Sequence, residues 1–492
     1  MNIRRYAAFF MIASAAYAAP ISDIDRLRQY VQTAYPSLLY VDRYRQAFPD
    51  DTQGGDALWR SKDAIALDTP SDLTAALAGL KDQHVSIAVA GSTTETLGVL
   101  FRTSTGGGLM VWRIVDPAIT TLVPDETVLT IDGVDSTEWL PRMAERTFGG
   151  NQRARMAEAG LQLALGSRLQ HEVYGLGQTV TLTVRGGDGA VRTVVLPYQQ
   201  ADKHFARRIA EAANQPDLPP TFKIGQYGFA TIRFGAFAPQ FDPEFIQAAD
   251  AASDAGKADE EAMLAGFCAV VQNHIARYNR NSKQRELLVV DLRGNFGGFG
   301  REARLLAEAI SPTPLPRSLD VRRSDTTGTL QIIEQPSDPS CGHIDGKPKI
   351  IVWVDAGTRS SGELMAAWLW SAGALIVGER TIGAGGGRDA ASQGITLPEH
   401  GYRVLTSENF TVFEQGSTLN AGDMNERELV DLVSQDQFAP SRIRPFAIQS
   451  VGIRPDIVQR THLADIKDGG LKGLINTLMQ NMPVFEKWLR LK

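Results

Sequence analysis

The spacing of apolar positions changes several times along this chain, and each change marks a new element. From Ser22 to about Leu80 they recur at three and four, first as Ile24, Leu27, Tyr30 and Val31, then as Leu73, Leu77 and Leu80 behind Ser71 as a cap, which predicts helices. After Lys81-Asp82-Gln83-His84 the period falls to two, with Val85, Ile87 and Val89 alternating, so His84 sits where a helix gives way to a strand. Between about Glu95 and Tyr198 short β-type runs dominate, interrupted by a helical insert from Ser136 to about Arg168. A charged, alanine-rich stretch from Asp250 to about Glu286 reads as a partly exposed helix. Beyond it, strands at 286–292, 349–355 and 374–379 alternate with helices at 299–310 and 361–371. That order belongs to an α/β fold with a parallel or mixed sheet covered by helices.

Length changes the picture by requiring division, since 492 residues exceed one ordinary core. The pattern divides into a helical region 19–92, a β-rich module 93–200, a linker and helical segment 201–285, and an α/β domain 286–492. The first 18 residues are set apart by Arg4 and Arg5, an apolar run from Tyr6 to Ala16, and Ala16-Tyr17-Ala18. This is the composition of a signal peptide, and its apolar run is shorter than the roughly 20 residues that span a bilayer. The expectation is a periplasmic or secreted protein with no membrane segment after removal of the signal. A net charge of −6 with scattered Lys and Arg offers nothing to a polyanion, so nucleic acid is not an expected partner. Cys268 and Cys341 fit either one disulfide or two buried thiols, and neither has metal-ligand spacing, so no metal or cofactor is expected.

Two strand–turn–helix units carry the candidate chemistry. The first ends in Asp291-Leu-Arg-Gly-Asn-Phe-Gly-Gly298, and the second in Asp355-Ala-Gly-Thr-Arg-Ser-Ser-Gly-Glu363. Ligands of α/β sheets collect at the carboxyl ends of strands, and a helix start offers free amides to a developing oxyanion. Ser360 is the candidate nucleophile, yet Ser360 followed by Glu363 also has the spacing of a capping box, a role that needs no catalysis. Gly297 and Gly298 serve equally as a tight turn or as a close approach for backbone donors. No G-x-S-x-G elbow occurs, which argues against an esterase of the α/β-hydrolase kind. Asp291 and Arg293 read as structural partners, and Gly383 to Gly387 as a plain turn or a substrate-strand site, because G-K-[ST] is missing.

Those two turns, followed in order by Gly378-Glu-Arg-Thr-Ile-Gly-Ala-Gly-Gly386 and Val451-Gly-Ile-Arg-Pro-Asp456, resemble the motifs of C-terminal-processing serine proteases of the S41 type. The stretch 124–134 likewise looks like the strand and hairpin of a PDZ domain. The resemblance implies a ClpP/crotonase-like catalytic domain, a PDZ-like module, peptide substrates and a homodimer. It makes Ser360 the nucleophile, His84 the base, and the Ser361, Gly297 and Gly298 amides the oxyanion donors. Ala384 stands where many relatives carry a catalytic lysine, which the histidine-using branch of the family also lacks. Gln449 stands where a glutamate would steady the histidine. A glutamine carbonyl can accept an imidazole N–H but supplies no full negative charge, which predicts a slower enzyme or a non-catalytic peptide binder.

Overall fold

A computed structural model describes residues 21–40, 69–89, 95–103, 108–202, 222–224, 230–239, 242–281, 286–324, 329–388, 392–414, 419–437, 444–460 and 471–491, apart from 167 and a few neighbours such as 336 and 337, together with isolated positions such as Tyr44 and Trp59. The expected signal peptide lies outside the described residues. No described helix is long and apolar enough to cross a membrane.

The fold is α/β, with a β-rich module ahead of the sheet that positions the site. The central sheet has six strands in the order Phe222–Ile224, Ala230–Arg233, Leu287–Asp291, Lys349–Val354, Leu375–Gly378 and Ile457–Val458. The first pair is antiparallel and the other four pairings are parallel. Its strands read as continuous apolar runs because both faces are covered. Leu288, Val290, Val352 and Ile376 pack under the helices Asp259–Asn281, Gly300–Ile310 and Ser361–Ser371. Val289, Ile351, Trp353 and Val377 meet Leu474, Leu478 and Trp488 of the last two helices. Each fully buried aliphatic side chain contributes roughly 2 kcal/mol.

The segment 201–285, read as linker and helix, supplies the first two strands of this sheet as well as the helices Pro243–Asp254 and Asp259–Asn281. Those strands have three and four residues, too short for alternation to show in the sequence. Cys268 and Cys341 form a disulfide, their Cα atoms 5.0 Å apart, tying the long helix to the loop before Lys349–Val354.

The β-rich module is a five-stranded antiparallel sheet in the order Val99–Thr103, Leu109–Ile114, Thr127–Ile131, Thr179–Arg185 and Val191–Pro197, packed against Ser136–Ala144 and Gln152–Ala164. In the N-terminal region the helix Pro70–Ala78 is capped by Thr69, with Pro70 in its first turn and a reciprocal bond to Asp72, rather than by Ser71. The strand Ser86–Val89 then pairs antiparallel with Tyr402–Leu405, from the far end of the chain. Leu73, Leu77 and Leu80 share a core with Leu397, Tyr402 and Val404. This pairing fixes where His84 lies.

Candidate active site

The site grows from two neighbouring parallel strands, Leu287–Asp291 and Lys349–Val354, whose carboxyl ends both turn sharply. Asp355 joins the two turns: its carboxylate accepts from the Gly294 amide at 2.8 Å and the Gly357 amide at 2.9 Å. Thr358 adds a hydroxyl bond to the Leu292 carbonyl at 2.8 Å. Asn295, fully buried, clamps the glycine turn by accepting from Gly297 N at 2.8 Å and donating to the Phe234 carbonyl at 2.9 Å. Asp291 and Arg293 are structural, as expected. Their side chains pair at 2.9 Å, and the guanidinium lies 3.3 Å from the centroid of the Trp353 ring.

Ser360 stands at the N-terminus of Ser361–Ser371 with φ +52° and ψ −127°. Outside glycine such a conformation costs on the order of 1–3 kcal/mol and persists only where the surroundings enforce it. Enforcement comes from both sides. A Cβ at Gly297 would lie 2.5 Å from the Ser360 Cβ, and one at Gly298 would lie 1.9 Å from the Phe237 carbonyl oxygen, so only glycine lets the two turns approach. Ser360 and Glu363 form a capping box: Glu363 accepts from Ser360 N at 3.1 Å, and the serine hydroxyl is turned toward the Glu363 amide without a fully formed side-chain hydrogen bond. The capping role the sequence predicts is therefore present beside the candidate nucleophile role.

Glu363 does more than cap. Its buried carboxylate also accepts from the Gly383 amide at 2.8 Å, the Ala384 amide at 2.7 Å and the Thr381 hydroxyl, holding the glycine-rich turn against Ser360. Burial pushes its pKa up to about 7, against the pull of those four donors.

The expected oxyanion donors divide. Gly297 N is taken by Asn295. Gly298 N and Ser361 N have no hydrogen-bond partner among the described residues, and the Ser361 hydroxyl donates to the Gly298 carbonyl at 2.7 Å, keeping the two amides on one small patch.

His84 lies at the junction its sequence predicts. Its Nδ1 is 3.5 Å from Asp82 Oδ1, within ion-pair reach but outside hydrogen-bond geometry. Asp82 is buried, and its carboxylate accepts from His84 N at 2.9 Å and Ser407 N at 3.1 Å. Burial raises its pKa, but the interactions with His84 and Ser407 together outweigh it and hold the carboxyl below its usual value. Gln449 is fully buried and does not bond His84: its Oε1 takes the Gly386 amide at 2.5 Å. Asp82, two residues before His84, is the acid within ion-pair reach of its ring. No hydrogen bond joins Ser360 to His84 among the described residues. On the side of the glycine-rich turn, Arg388 donates to the His84 carbonyl at 3.4 Å, and Glu363 holds Gly383 and Ala384 against the start of the Ser360 helix.

Sequence reasoning gave no role to Asp82 and Asn295 and gave Glu363 only that of a cap. All three lie inside the quoted motifs, and a short polar residue two or three places from a catalytic candidate is the signal that could have found them.

Comparison with known proteins shows what this chain is similar to. Residues 266–459 match the family model of Peptidase family S41. No curated protein matches the chain. Among solved structures, mature CPAF complexed with lactacystin is similar at 14% identity and TM-score 0.58, over 94% of this chain and 98% of that one. Mature CPAF alone gives 15% identity and TM-score 0.56, over 92% and 95%. The photosystem II D1 C-terminal processing protease aligns at 15% identity and TM-score 0.37, over 87% and 93%. The fold is therefore that of CPAF, and residues 266–459 match a family of peptidases.

Proposed function

We propose that this chain, a CPAF-like protein whose residues 266–459 match peptidase family S41, is an exported serine endopeptidase working through Ser360 and His84. The observation that carries the reading is Ser360 itself: a non-glycine residue at φ +52° at the start of a helix, set against glycines and beside two amides without a hydrogen-bond partner among the described residues. Strain concentrated at a strand-to-helix turn is what an exposed nucleophile requires. His84 takes the proton from Oγ as the serine attacks the scissile carbonyl, then returns it to the leaving amine. The negative charge that develops on the carbonyl oxygen falls between Gly298 N and Ser361 N, each donor typically worth about 3 kcal/mol. Asp82 supplies the charge that favours the imidazolium, and Gln449 holds the glycine-rich turn. Water then resolves the acyl-enzyme by the same proton path. The disulfide fits an oxidising compartment, in line with the N-terminal export signal.

A second reading, a peptide-binding homologue without turnover, is favoured by the missing Ser360–His84 hydrogen bond. Catalytic hydrogen bonds are often long before substrate arrives, so that absence alone does not decide. Treatment of the folded protein with a fluorophosphonate probe does. Labelling of the wild type that is lost in Ser360→Ala and falls at least a hundredfold in rate in His84→Ala is expected. Folded wild type that stays unlabelled sinks the enzyme.

A further inference from the structure

The start of the helix Asp23–Ala34 meets the turn between the strands Ile395–Leu397 and Tyr402–Leu405. Asp23 is fully buried there, and its Oδ2 accepts from His400 N at 3.2 Å and pairs with His400 Nδ1 at 2.9 Å. The other oxygen of this carboxylate, Oδ1, has no hydrogen-bond partner among the described residues. A second acid, Glu399, closes on the same spot and reaches the Asp23 amide only at 3.5 Å. One donor atom from each of Asp23, Glu399 and His400 lies within 4.8 Å of the other two. Among the described residues neither acid pairs with a lysine or an arginine, and His400 is the only basic group on Asp23. The His400 ring is itself held in place, stacked on Tyr402 with centroids 5.7 Å apart and planes 13° apart.

Two carboxylates thus converge on one imidazole, and a buried oxygen is left without a donor, which is costly unless a cation answers it. The helix start offsets part of that charge, but its capping acceptor is already Ser22, so capping does not account for Asp23 and Glu399 together. We propose that Asp23, Glu399 and His400 bind a divalent transition ion of the zinc class. Imidazole beside carboxylate selects such ions over calcium and magnesium, which take shells of oxygen. Zinc bonds of roughly 2.0–2.2 Å set neighbouring donors about 3.4 Å apart, so the cluster contracts modestly on binding and water completes the tetrahedron. The ion replaces the proton shared by His400 Nδ1 and Asp23 Oδ2, and it enters beside Glu399, which is exposed. Its effect reaches the His84 segment through the hairpin, because Tyr402–Leu405 pairs with Ser86–Val89. The ion pins the N-terminal helix to the hairpin on which that strand docks. Asp23 and His400 lie 377 positions apart, so no ligand spacing shows in the sequence. The proposal is independent of the protease reading.

The untagged protein, stripped with a chelator that is then removed, is dialysed against micromolar Zn²⁺, and the bound metal is counted by mass spectrometry. One zinc per chain and a raised melting temperature are expected, with no retention of Ca²⁺ or Mg²⁺ offered at the same concentration. Glu399→Gln alters an exposed side chain and leaves the fold intact, and it is expected to weaken zinc binding at least tenfold. His400→Gln is expected to abolish binding, and the gain in melting temperature should vanish with it. Protein that retains no zinc overturns the proposal, as does retention of Ca²⁺ in preference to Zn²⁺. Zinc affinity unchanged in Glu399→Gln or in His400→Gln overturns it as well, since adventitious binding by the other histidines survives both substitutions. Failure of fluorophosphonate labelling would remove the protease and leave this binding result standing.

Discussion

Asp82 and Glu363 show what single residues contribute to this site. Asp82 carries a buried negative charge whose nearest imidazole nitrogen is 3.5 Å away, and it anchors the His84 and Ser407 amides as well. An amide in its place keeps most of the shape and removes the charge. Asp82→Asn is expected to lower kcat on the order of a hundredfold with KM little changed. A purely structural loss would raise KM together with the fall in kcat, and steady-state kinetics on the folded variant distinguish the two. Ser360 was legible in the sequence as a residue with two roles. The sequence could not decide between them, because the choice depends on a φ angle enforced by Gly297, more than sixty positions earlier.

The helix Ser361–Ser371 and the strands beside it were legible almost to the residue, because apolar runs bounded by glycine and aspartate leave little freedom of assignment. The two short strands before residue 234 were not, and only their pairing with Leu287–Asp291 makes them strands. Glu363 is the joint between this helix and the turn at 381–384. Its pKa is raised from the ordinary glutamate value to about 7, so the folded state holds its proton more firmly than the unfolded one. Stability from this group is therefore greatest below the ordinary glutamate value and declines as pH rises from there to about 7. Glu363→Gln removes that slope from a series of thermal melts. It also leaves two of the four donors facing an NH2 group, which lowers stability by about 2 kcal/mol or more and loosens Ser360. Melts whose pH dependence matches the wild type would show that Glu363 does not titrate in this window.

Across the whole molecule, the α/β class and the β-rich module could be read in advance, while the joining of distant segments could not. The disulfide is one such joint, closing 73 residues between a surface helix and the approach to the central sheet. Loop-closure entropy gives it up to about 4 kcal/mol. The double variant Cys268→Ser with Cys341→Ser is expected to shift the guanidinium midpoint downward by a corresponding amount, with fluorophosphonate labelling unchanged in the folded protein. An unshifted midpoint would mean that the packing around Phe267 and Ile344 already imposes the closure.

The pairing of Ser86–Val89 with Tyr402–Leu405 has a consequence for when this chain can first act. A ribosome-bound or exported fragment that stops before residue 400 already contains both the alcohol and the imidazole, but it has no strand to dock the imidazole's own segment and no Ser407 amide to hold Asp82. On the proposed reading, hydrolytic competence therefore arrives only after Tyr402–Leu405 and Ser407 have folded back onto the beginning of the chain.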